Sequence, residues 1–375
     1  MKFDLPQEQR VYRKNKGILE QFHIDGWLLF GVLLLLIASL AVVFSASGGD
    51  QGVIERQLIR IGFAIALMFM FAQIPPNIIY IFTPWLFVIG ILTLISVLLF
   101  GEVGKGAQRW LEIGPIRFQP SESMKLILPI TIAWIFAHSK FPPTTGRLLF
   151  GTLLIAVTSG LIVVQPDLGT SLLIGLSGLS VLFFAGLPWK VIFSSFAAAL
   201  LSAPIAWHFM HSYQKQRVLT FLTPESDPLG SGYHIIQSKI AIGSGGLYGK
   251  GYMGSTQAHL EFLPESTTDF IFSVLAEEFG LLGVIGLLVL YGFVIGRGLY
   301  IASQAQDNFT RLVAASFMMT LFVYIFVNIG MVSGLLPVVG LPLPLMSYGG
   351  SSLITLMISF GILMSIHTHK KLLSK

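Results

Sequence analysis

The chain has 375 residues, of which 54% are hydrophobic and 11% charged, and its mean hydropathy is +0.79. Soluble domains carry about 25% charged residues, so this composition excludes a soluble globule and predicts one large helical domain in a lipid bilayer. The net charge of +5 comes from basic residues at the termini and in short loops, which excludes a nucleic-acid-binding stripe, and the absence of cysteine excludes disulfides, thiolate catalysis and cysteine-ligated metals.

Apolar runs near the length that crosses the hydrocarbon core, about 20 residues, occur repeatedly along the chain. The runs are continuous rather than alternating, which favours helices over the strands of a β-barrel. We therefore predict an all-α polytopic membrane protein. Its ten predicted spans are 26–46, 57–73, 77–99, 122–138, 148–164, 170–186, 189–209, 270–297, 310–332 and 347–367.

Basic residues beside short loops predict the orientation of the spans. If the number of spans is even, both basic termini and the basic loops share one side, the cytoplasm. This predicts a cytoplasmic segment 1–25, one transmembrane domain 26–367 with a large extracytoplasmic loop 210–269, and a cytoplasmic tail 368–375. The basic loop residues on the cytoplasmic side are Lys140, Arg147, Lys190, Arg297 and Arg311.

Charged residues flank the start of the fourth span. Glu122 and Lys125 are three positions apart on one helical face, near enough to pair. The pair either neutralises itself so that the helix can enter the membrane, or faces a charged cavity inside the bundle. Arg109 and Trp110 suit a membrane interface and equally a diphosphate clamp, since guanidinium offers two parallel donors.

Asp269 follows a run of hydroxylated residues and precedes an apolar run, a pattern that predicts the start of a helix. It is either a first-turn carboxylate favoured by the helix dipole or a general base held on a rigid element at the rim of a span. Glu277 and Glu278 follow in the same span and cannot both face lipid. We expect at least one to meet Lys125 or Arg109 in a shared cavity, the alternative being a helix packing contact.

Three further segments place polar or small residues at the same side of the predicted membrane. Asp167 precedes the sixth span and is predicted to cap it. Gly and Pro interrupt the stretch 334–344, and non-helical backbone at that depth must be buried in protein or line a cavity. Ser347 opens a run of small residues that permits close helix approach. The glycine-rich stretch 243–251 lacks the spacing of a nucleotide-binding loop.

Together these motifs resemble the SEDS family of shape, elongation, division and sporulation proteins, and segments 237–246 and 275–280 look like its RodA branch rather than its FtsW branch. The resemblance covers the chain from about residue 26 to residue 367. The motifs that carry it are the C-terminal signature Asn328, Gly334, Pro337, Gly340 and 347–352, with the segments 108–110, 120–122, 165–169 and 263–272.

The resemblance implies a glycosyltransferase that polymerises lipid II into glycan strands on the outer face of the cytoplasmic (inner) membrane during cell elongation. It implies a class B penicillin-binding protein and other elongation-complex membrane proteins as partners. Asp269 is then the essential acid, and a divalent cation, Mg or Mn, is the one candidate cofactor. The substrate-binding candidates are Arg109, Glu122, Lys125, Asp167, Lys239, Glu277 and Ser347.

In the expected mechanism, Asp269 deprotonates an acceptor sugar hydroxyl, which attacks the anomeric carbon of the donor with inversion. Arg109 and Lys125 are expected to stabilise the departing undecaprenyl diphosphate. Two alternatives stay open at this point. A lipid II flippase would need charged residues through to both faces, and a non-catalytic scaffold for the penicillin-binding protein would tolerate polar substitutions.

Overall fold

The computed structural model describes residues 21–104, 107–113, 116–138, 143–209, 215, 219–221, 223, 231–260, 262–263 and 265–369. Its helices are α1 (Gly26–Ala46), α2 (Gln51–Ala72), α3 (Pro76–Phe100), α4 (Pro120–Phe136), α5 (Thr145–Val164), α6 (Leu168–Phe184), α7 (Trp189–Phe209), α8 (Ser231–Ser244), α9 (Thr256–His259), α10 (Ile271–Ser303), α11 (Asn308–Val332) and α12 (Ser351–Thr368). Its strands are β1 (Glu102–Gly104), β2 (Ala107–Ile113) and β3 (Ile116–Phe118).

Each of the ten predicted spans coincides with a helix, which confirms the all-α polytopic prediction. Among the described residues, 6 helices have at least 18 residues and are apolar enough to cross a membrane, namely α1, α3, α5, α10, α11 and α12. Helix α6 is apolar but has 17 residues, while α2 and α4 carry charged side chains within the predicted span. The protein is therefore a multi-pass membrane protein. Lys140 and most of the two predicted terminal segments lie outside the described residues.

Two helices begin four or more residues away from the predicted start of their span, and each difference has a local cause. Helix α2 begins at Gln51 instead of residue 57, because the Asp50 side chain caps it by accepting the Gly52 N–H at 2.7 Å. Helix α12 begins at Ser351 instead of residue 347, because Ser347 accepts the Leu343 N–H at 2.7 Å and so belongs to the preceding loop.

A small antiparallel sheet joins α3 to α4, which the all-α prediction did not include. The strand order is β1-β2-β3, and β2 pairs with β3 through Leu111 opposite Phe118 and Glu112 opposite Arg117. Strands of three and seven residues are too short to stand out beside apolar runs of about 20 residues. The sheet matters because β2 carries Arg109 and Trp110 towards the functional site.

The loop predicted over 210–269 contains two helices within its described part. Helix α8 packs against α10 and α11, and the Ser238 hydroxyl donates to the Val332 carbonyl at 2.5 Å and lies 2.9 Å from the Ser273 hydroxyl. This segment is therefore attached to the bundle by buried hydrogen bonds rather than free above it.

Helix α10 is interrupted at Gly280, whose φ of 62° and ψ of −161° break the helical ladder. The interruption leaves backbone groups that must find partners in an apolar bundle. The segment after α8 supplies them, since the Leu281 N–H donates to the Gly246 carbonyl at 2.9 Å and the Lys250 N–H donates to the Glu277 carbonyl at 2.9 Å. The kink and the segment 245–251 thus stabilise each other.

Candidate functional site

A cavity of about 950 Å³ opens at one end of the bundle. It is enclosed by the start of α4, the start of α6, strand β2, one wall of α2 and the loops before α10 and α12. We call this cavity the pocket and this end of the bundle the pocket end. The charged residues that line the pocket are Arg60, Arg109, Glu122, Asp167, Glu265 and Asp269.

The backbone before α10 is fixed at three consecutive carbonyl groups. The Thr267 carbonyl accepts the Tyr348 N–H at 2.8 Å, and the Thr268 carbonyl accepts the Ser347 hydroxyl at 2.5 Å. The Asp269 carbonyl accepts the Asn328 side-chain amide at 3.0 Å. Asp269 is thereby held to α11 and to the loop before α12, so its carboxylate reaches the pocket from a rigid backbone.

The half-buried Asp269 lies two residues before the first residue of α10, rather than in its first turn as one alternative had it. Opposite it lies Gly340, whose φ is 72°, and a methyl group added at Gly340 would come within 3.5 Å of Asp269 Oδ2. Positive φ is strained for residues with a side chain. The Gly- and Pro-rich stretch therefore lines the pocket beside the acid, as predicted for irregular backbone at this depth.

Glu122 and Lys125 form the predicted ion pair. Lys125 Nζ lies 2.6 Å from Glu122 Oε1, and the ammonium group also donates to the Tyr324 hydroxyl at 3.3 Å. Lys125 is 4% exposed and does not line the pocket, whereas Glu122 does. A second cavity of about 20 Å³, lined by all three residues, lies between them and α12. The charge of Lys125 therefore acts on the pocket through Glu122.

Arg109 and Asp167 lie side by side in the pocket wall. Arg109 Nη2 donates to the Pro166 carbonyl at 2.5 Å, and its Nε lies 3.7 Å from Asp167 Oδ2. Asp167 caps α6 as predicted, since it accepts the Thr170 N–H at 3.3 Å. It also accepts the Gln119 amide at 3.3 Å. Arg109 therefore stays in the pocket, although part of its charge is already compensated.

Glu277 does not lie in the expected shared cavity. It is fully buried and accepts Lys250 Nζ at 2.6 Å, the Ser255 hydroxyl at 2.6 Å and the Thr256 hydroxyl at 2.8 Å. The expectation that its partner is Lys125 or Arg109 is wrong, because the segment after α8 folds over the start of α10 and brings its own cation. Glu278 is equally buried and accepts the Ser45 hydroxyl.

Two other substrate-binding candidates lie outside the pocket lining. Lys239 is exposed on α8 and packs beside Gly334, where an added methyl group would lie 2.6 Å from its Nζ. Ser347 is 8% exposed and its hydroxyl bonds two backbone groups. Ser347 positions the backbone beside Asp269 instead of facing a substrate.

Arg60 is a charged pocket residue that the sequence analysis missed. Its guanidinium lies 4.3 Å from the centroid of the Tyr348 ring, and the Arg56 Nε donates to the Tyr348 hydroxyl at 3.3 Å. The available signal was an arginine inside the predicted span 57–73, because ionisable residues within spans usually mark functional sites.

The described part of the chain contains no preformed site for the predicted divalent cation. No group of three or more His, Asp or Glu residues is arranged there to hold a metal ion. Mg²⁺ is often held by one or two carboxylates together with substrate phosphates. A cation of that kind would need only one or two of the pocket carboxylates, and substrate oxygens would complete its coordination.

A family model described as cell cycle protein, which groups FtsW, RodA and SpoVE, matches residues 21–372. The chain belongs to this family. It is 53% identical over 362 residues to the peptidoglycan glycosyltransferase MrdB of Escherichia coli K12, covering 96% of this chain and 98% of that protein. It is 37% identical to the probable peptidoglycan glycosyltransferase FtsW of Synechocystis, covering 91% and 86%. The predicted SEDS membership and the predicted similarity to RodA are both confirmed.

Solved structures of this family share the fold. One, described as coordinating polymerization and crosslinking in a peptidoglycan synthase complex, has a TM-score of 0.81 and 34% identity, covering 92% of this chain and 99% of its own. The crystal structure of the rod shape determining protein RodA from Thermus thermophilus has a TM-score of 0.71 and 29% identity, covering 92% and 98%.

Proposed function

We propose that the chain is a peptidoglycan glycosyltransferase that polymerises lipid II, with Asp269 as its general base. The observation that carries the proposal is the placement of this carboxylate in the pocket on a backbone fixed by three hydrogen bonds. Relatives that match nearly the whole chain are named peptidoglycan glycosyltransferases. A fixed carboxylate beside a large cavity is what proton abstraction from a bound sugar hydroxyl requires.

In the proposed reaction, Asp269 takes the proton of an acceptor hydroxyl on one glycan. The resulting oxygen nucleophile forms a bond to the anomeric carbon of the donor glycan while the bond from that carbon to the diphosphate oxygen breaks. The attack comes from the side opposite the leaving group, so the configuration inverts. The lipid diphosphate leaves with the electron pair, and the proton remains on Asp269 until water takes it.

Negative charge grows on the diphosphate as it leaves, and pocket cations are needed to stabilise it. Arg109 lines the pocket and can approach a phosphate, although it is held near Asp167. Lys125 is one step further away, because Glu122 stands between its ammonium group and the pocket. We therefore assign Arg109 a direct role and Lys125 the role of fixing Glu122.

A divalent cation, Mg or Mn, is part of the proposal. Glu265 and the proposed base, Asp269, are the two pocket carboxylates closest to each other in sequence and would hold the ion together with substrate phosphate oxygens. Such an ion would supply positive charge beside the leaving diphosphate. Removal of divalent ions with EDTA should abolish polymer formation, and added Mg or Mn should restore it. Undiminished polymer after chelation would remove the ion from the proposal.

The pocket end is proposed to face the outside of the cytoplasmic membrane, where the glycan strand grows. Basic residues support this orientation, since Arg147, Lys190 and Arg311 lie at the starts of α5, α7 and α11 and basic loops favour the cytoplasm. We also propose a class B penicillin-binding protein as partner, because a similar fold occurs in a peptidoglycan synthase complex.

The test is polymer formation by purified protein with lipid II in detergent. Asp269→Asn keeps the shape of the side chain and removes the base, so it should abolish the polymer without lowering the thermal unfolding temperature. Detergent removes the two compartments that a flippase connects, so polymer made there cannot arise from transport. Equal polymer from wild-type and Asp269→Asn protein would refute the proposed base, and no polymer from the wild type would favour a scaffold or a flippase.

A further inference from the structure

We propose that Arg60, together with the start of α12, binds the diphosphate of a polyprenyl-linked substrate or product. This inference rests on the proposed function, because it assigns the leaving group of that reaction to a particular wall of the pocket. Arg60 projects from α2 into the pocket, at the wall that it shares with residues 348–352.

Arg60 differs from the other pocket cation in its partners. Arg109 bonds the Pro166 carbonyl and lies 3.7 Å from the Asp167 carboxylate. Within the described residues, Arg60 forms neither a salt bridge nor a hydrogen bond, and its one specific contact is with the Tyr348 ring. An arginine inside a predicted membrane span is costly unless a cavity or a counter-ion receives it. An anionic ligand in the pocket would be that counter-ion.

The contact with the Tyr348 ring leaves the donors of Arg60 available, because none of them forms a hydrogen bond within the described residues. The guanidinium carbon lies over the ring, 4.3 Å from its centroid, and a guanidinium carries five N–H donors in a planar fork. Those N–H groups can bind two phosphate oxygens at once. Tyr348 is itself held, because its hydroxyl accepts a hydrogen bond from Arg56 and its N–H donates to the Thr267 carbonyl.

The start of α12 adds donors at the same wall. Its N-cap residue, Gly350, offers no side chain to cap the helix, and a methyl group placed there would lie 3.7 Å from Arg60 Cδ. Gly350, Ser351 and Ser352 all line the pocket. The first N–H groups of a helix lack intrahelical partners and favour anions, so they and the two serine hydroxyls can complete a phosphate site around Arg60.

The site lies close to the proposed base. Tyr348, whose ring contacts the Arg60 guanidinium, donates its N–H to the Thr267 carbonyl, two residues before Asp269. An ionised diphosphate at Arg60 would therefore put its attached sugar beside the carboxylate while the two negative groups remain separated by the Tyr348 segment. The apolar exposed faces of the surrounding helices are where a polyprenyl chain would lie, since Leu58 and Ile59 next to Arg60 are 48% and 73% exposed.

The test is equilibrium binding of farnesyl diphosphate and farnesol to purified protein in detergent, which needs no turnover. Wild-type protein should bind farnesyl diphosphate at least roughly tenfold more tightly than farnesol. Arg60→Gln should reduce diphosphate affinity on the order of tenfold, the scale of a hydrogen bond to a charged group, and leave farnesol affinity unchanged. Arg60→Lys keeps the charge without the planar fork and should fall between the two.

Three controls separate binding at Arg60 from general attraction to positive charge, from catalysis and from binding of free phosphate. Lys190→Gln removes one exposed positive charge from the start of α7, outside the pocket lining, and should bind like wild type. Asp269→Asn should lose polymer formation but keep diphosphate binding, so the two proposals fail separately. Inorganic pyrophosphate should bind at least roughly tenfold more weakly than farnesyl diphosphate because it lacks an apolar chain; equal binding would overturn the assignment to a lipid.

Two results would overturn the site itself. Unchanged diphosphate affinity in Arg60→Gln would show that the guanidinium does not bind the ligand. An equal loss of farnesol and farnesyl diphosphate affinity would show that Arg60 only holds α2 against the segment before α12. If Arg60→Gln does not elute as folded protein, Arg60→Lys decides, and diphosphate affinity equal to that of wild type would then refute the bidentate contact.

Discussion

Asn328 is expected to control the activity of Asp269 without touching the substrate. It is fully buried in α11, and its side-chain amide donates to the Asp269 carbonyl at 3.0 Å and to the Leu341 carbonyl at 2.6 Å. Both neighbours are acceptors, so the side chain must present its NH₂ group to them. Replacing Asn328 therefore removes the link between the proposed base and the loop that lines the opposite side of the pocket.

The size of the effect follows from these two bonds. A buried carbonyl left without a partner costs about 1–3 kcal/mol. Leu341 is 3% exposed, so its carbonyl bears most of that cost, whereas pocket water can reach the half-buried Asp269. We expect Asn328→Ala to lower the unfolding free energy by about 1–3 kcal/mol. Because a displacement of about 1 Å can cost a hundredfold in rate, polymer formation should fall by roughly tenfold to a hundredfold.

The assay is the rate of polymer formation by purified protein, with thermal unfolding measured on the same preparations. Ser316→Ala is the matched control, because Ser316 is also buried in α11 and, among the described residues, its hydroxyl bonds only the Val313 carbonyl. Asn328→Asp should be at least as inactive as Asn328→Ala, since its carboxylate would face two carbonyl oxygens. A wild-type rate in Asn328→Ala would refute the positioning role, and so would an equal loss of activity in Ser316→Ala at equal stability.

Three further substitutions test the charged groups around the site. Glu277→Gln should loosen the segment after α8, because Gln cannot keep all five hydrogen bonds that Glu277 accepts. Amide hydrogen exchange in that segment should rise, while diphosphate binding should persist. Lys125→Met should cost about 3–5 kcal/mol of unfolding free energy by leaving Glu122 without its ammonium partner, and adding Glu122→Gln should recover part of that loss in thermal unfolding. Burial disfavours the ionised form of Asp25, but hydrogen bonds from Arg297 and a backbone N–H outweigh burial and hold the pKa of Asp25 below its ordinary value of 3.8. The contribution of Asp25 to the free energy of unfolding is therefore full above about pH 3.8 and is lost as the pH falls through the lowered pKa. Asp25→Asn should remove this part of the acid sensitivity, measured by thermal unfolding at a series of pH values.

Hydrophobic runs predicted the helices because the backbone N–H and C=O groups of each span must form hydrogen bonds within that span, whatever its neighbours are. The same runs give no sign of the interruption of α10 at Gly280, since the partners of its freed backbone groups come from the distant segment 245–251. They also give no sign of the sheet that carries Arg109. In both cases the decisive interactions join residues that no periodic pattern relates.

The site was predictable to the extent that its groups are local. Glu122 and Lys125 pair within one helical turn, and the cap of α6 by Asp167 lies within three residues. The partner of Glu277 was not predictable, because Lys250 reaches it only after the intervening chain folds back. Arg60 was visible in the sequence as a charge inside a span, yet its place in the pocket depends on how α2 packs against α12.

The charges of the pocket divide into compensated and uncompensated groups, and this division limits which residues can do chemistry. Lys125 is neutralised by Glu122, and Arg109 is partly neutralised by Asp167. Such pairs fix the walls, because separating a buried pair is costly. Arg60 has only a ring beneath it within the described residues, so its charge can respond to a ligand without first breaking an ion pair. The negative charge on a leaving diphosphate would therefore be stabilised most readily by Arg60 of α2. Arg60 lies on the pocket wall where the Tyr348 segment also holds the backbone of the proposed base.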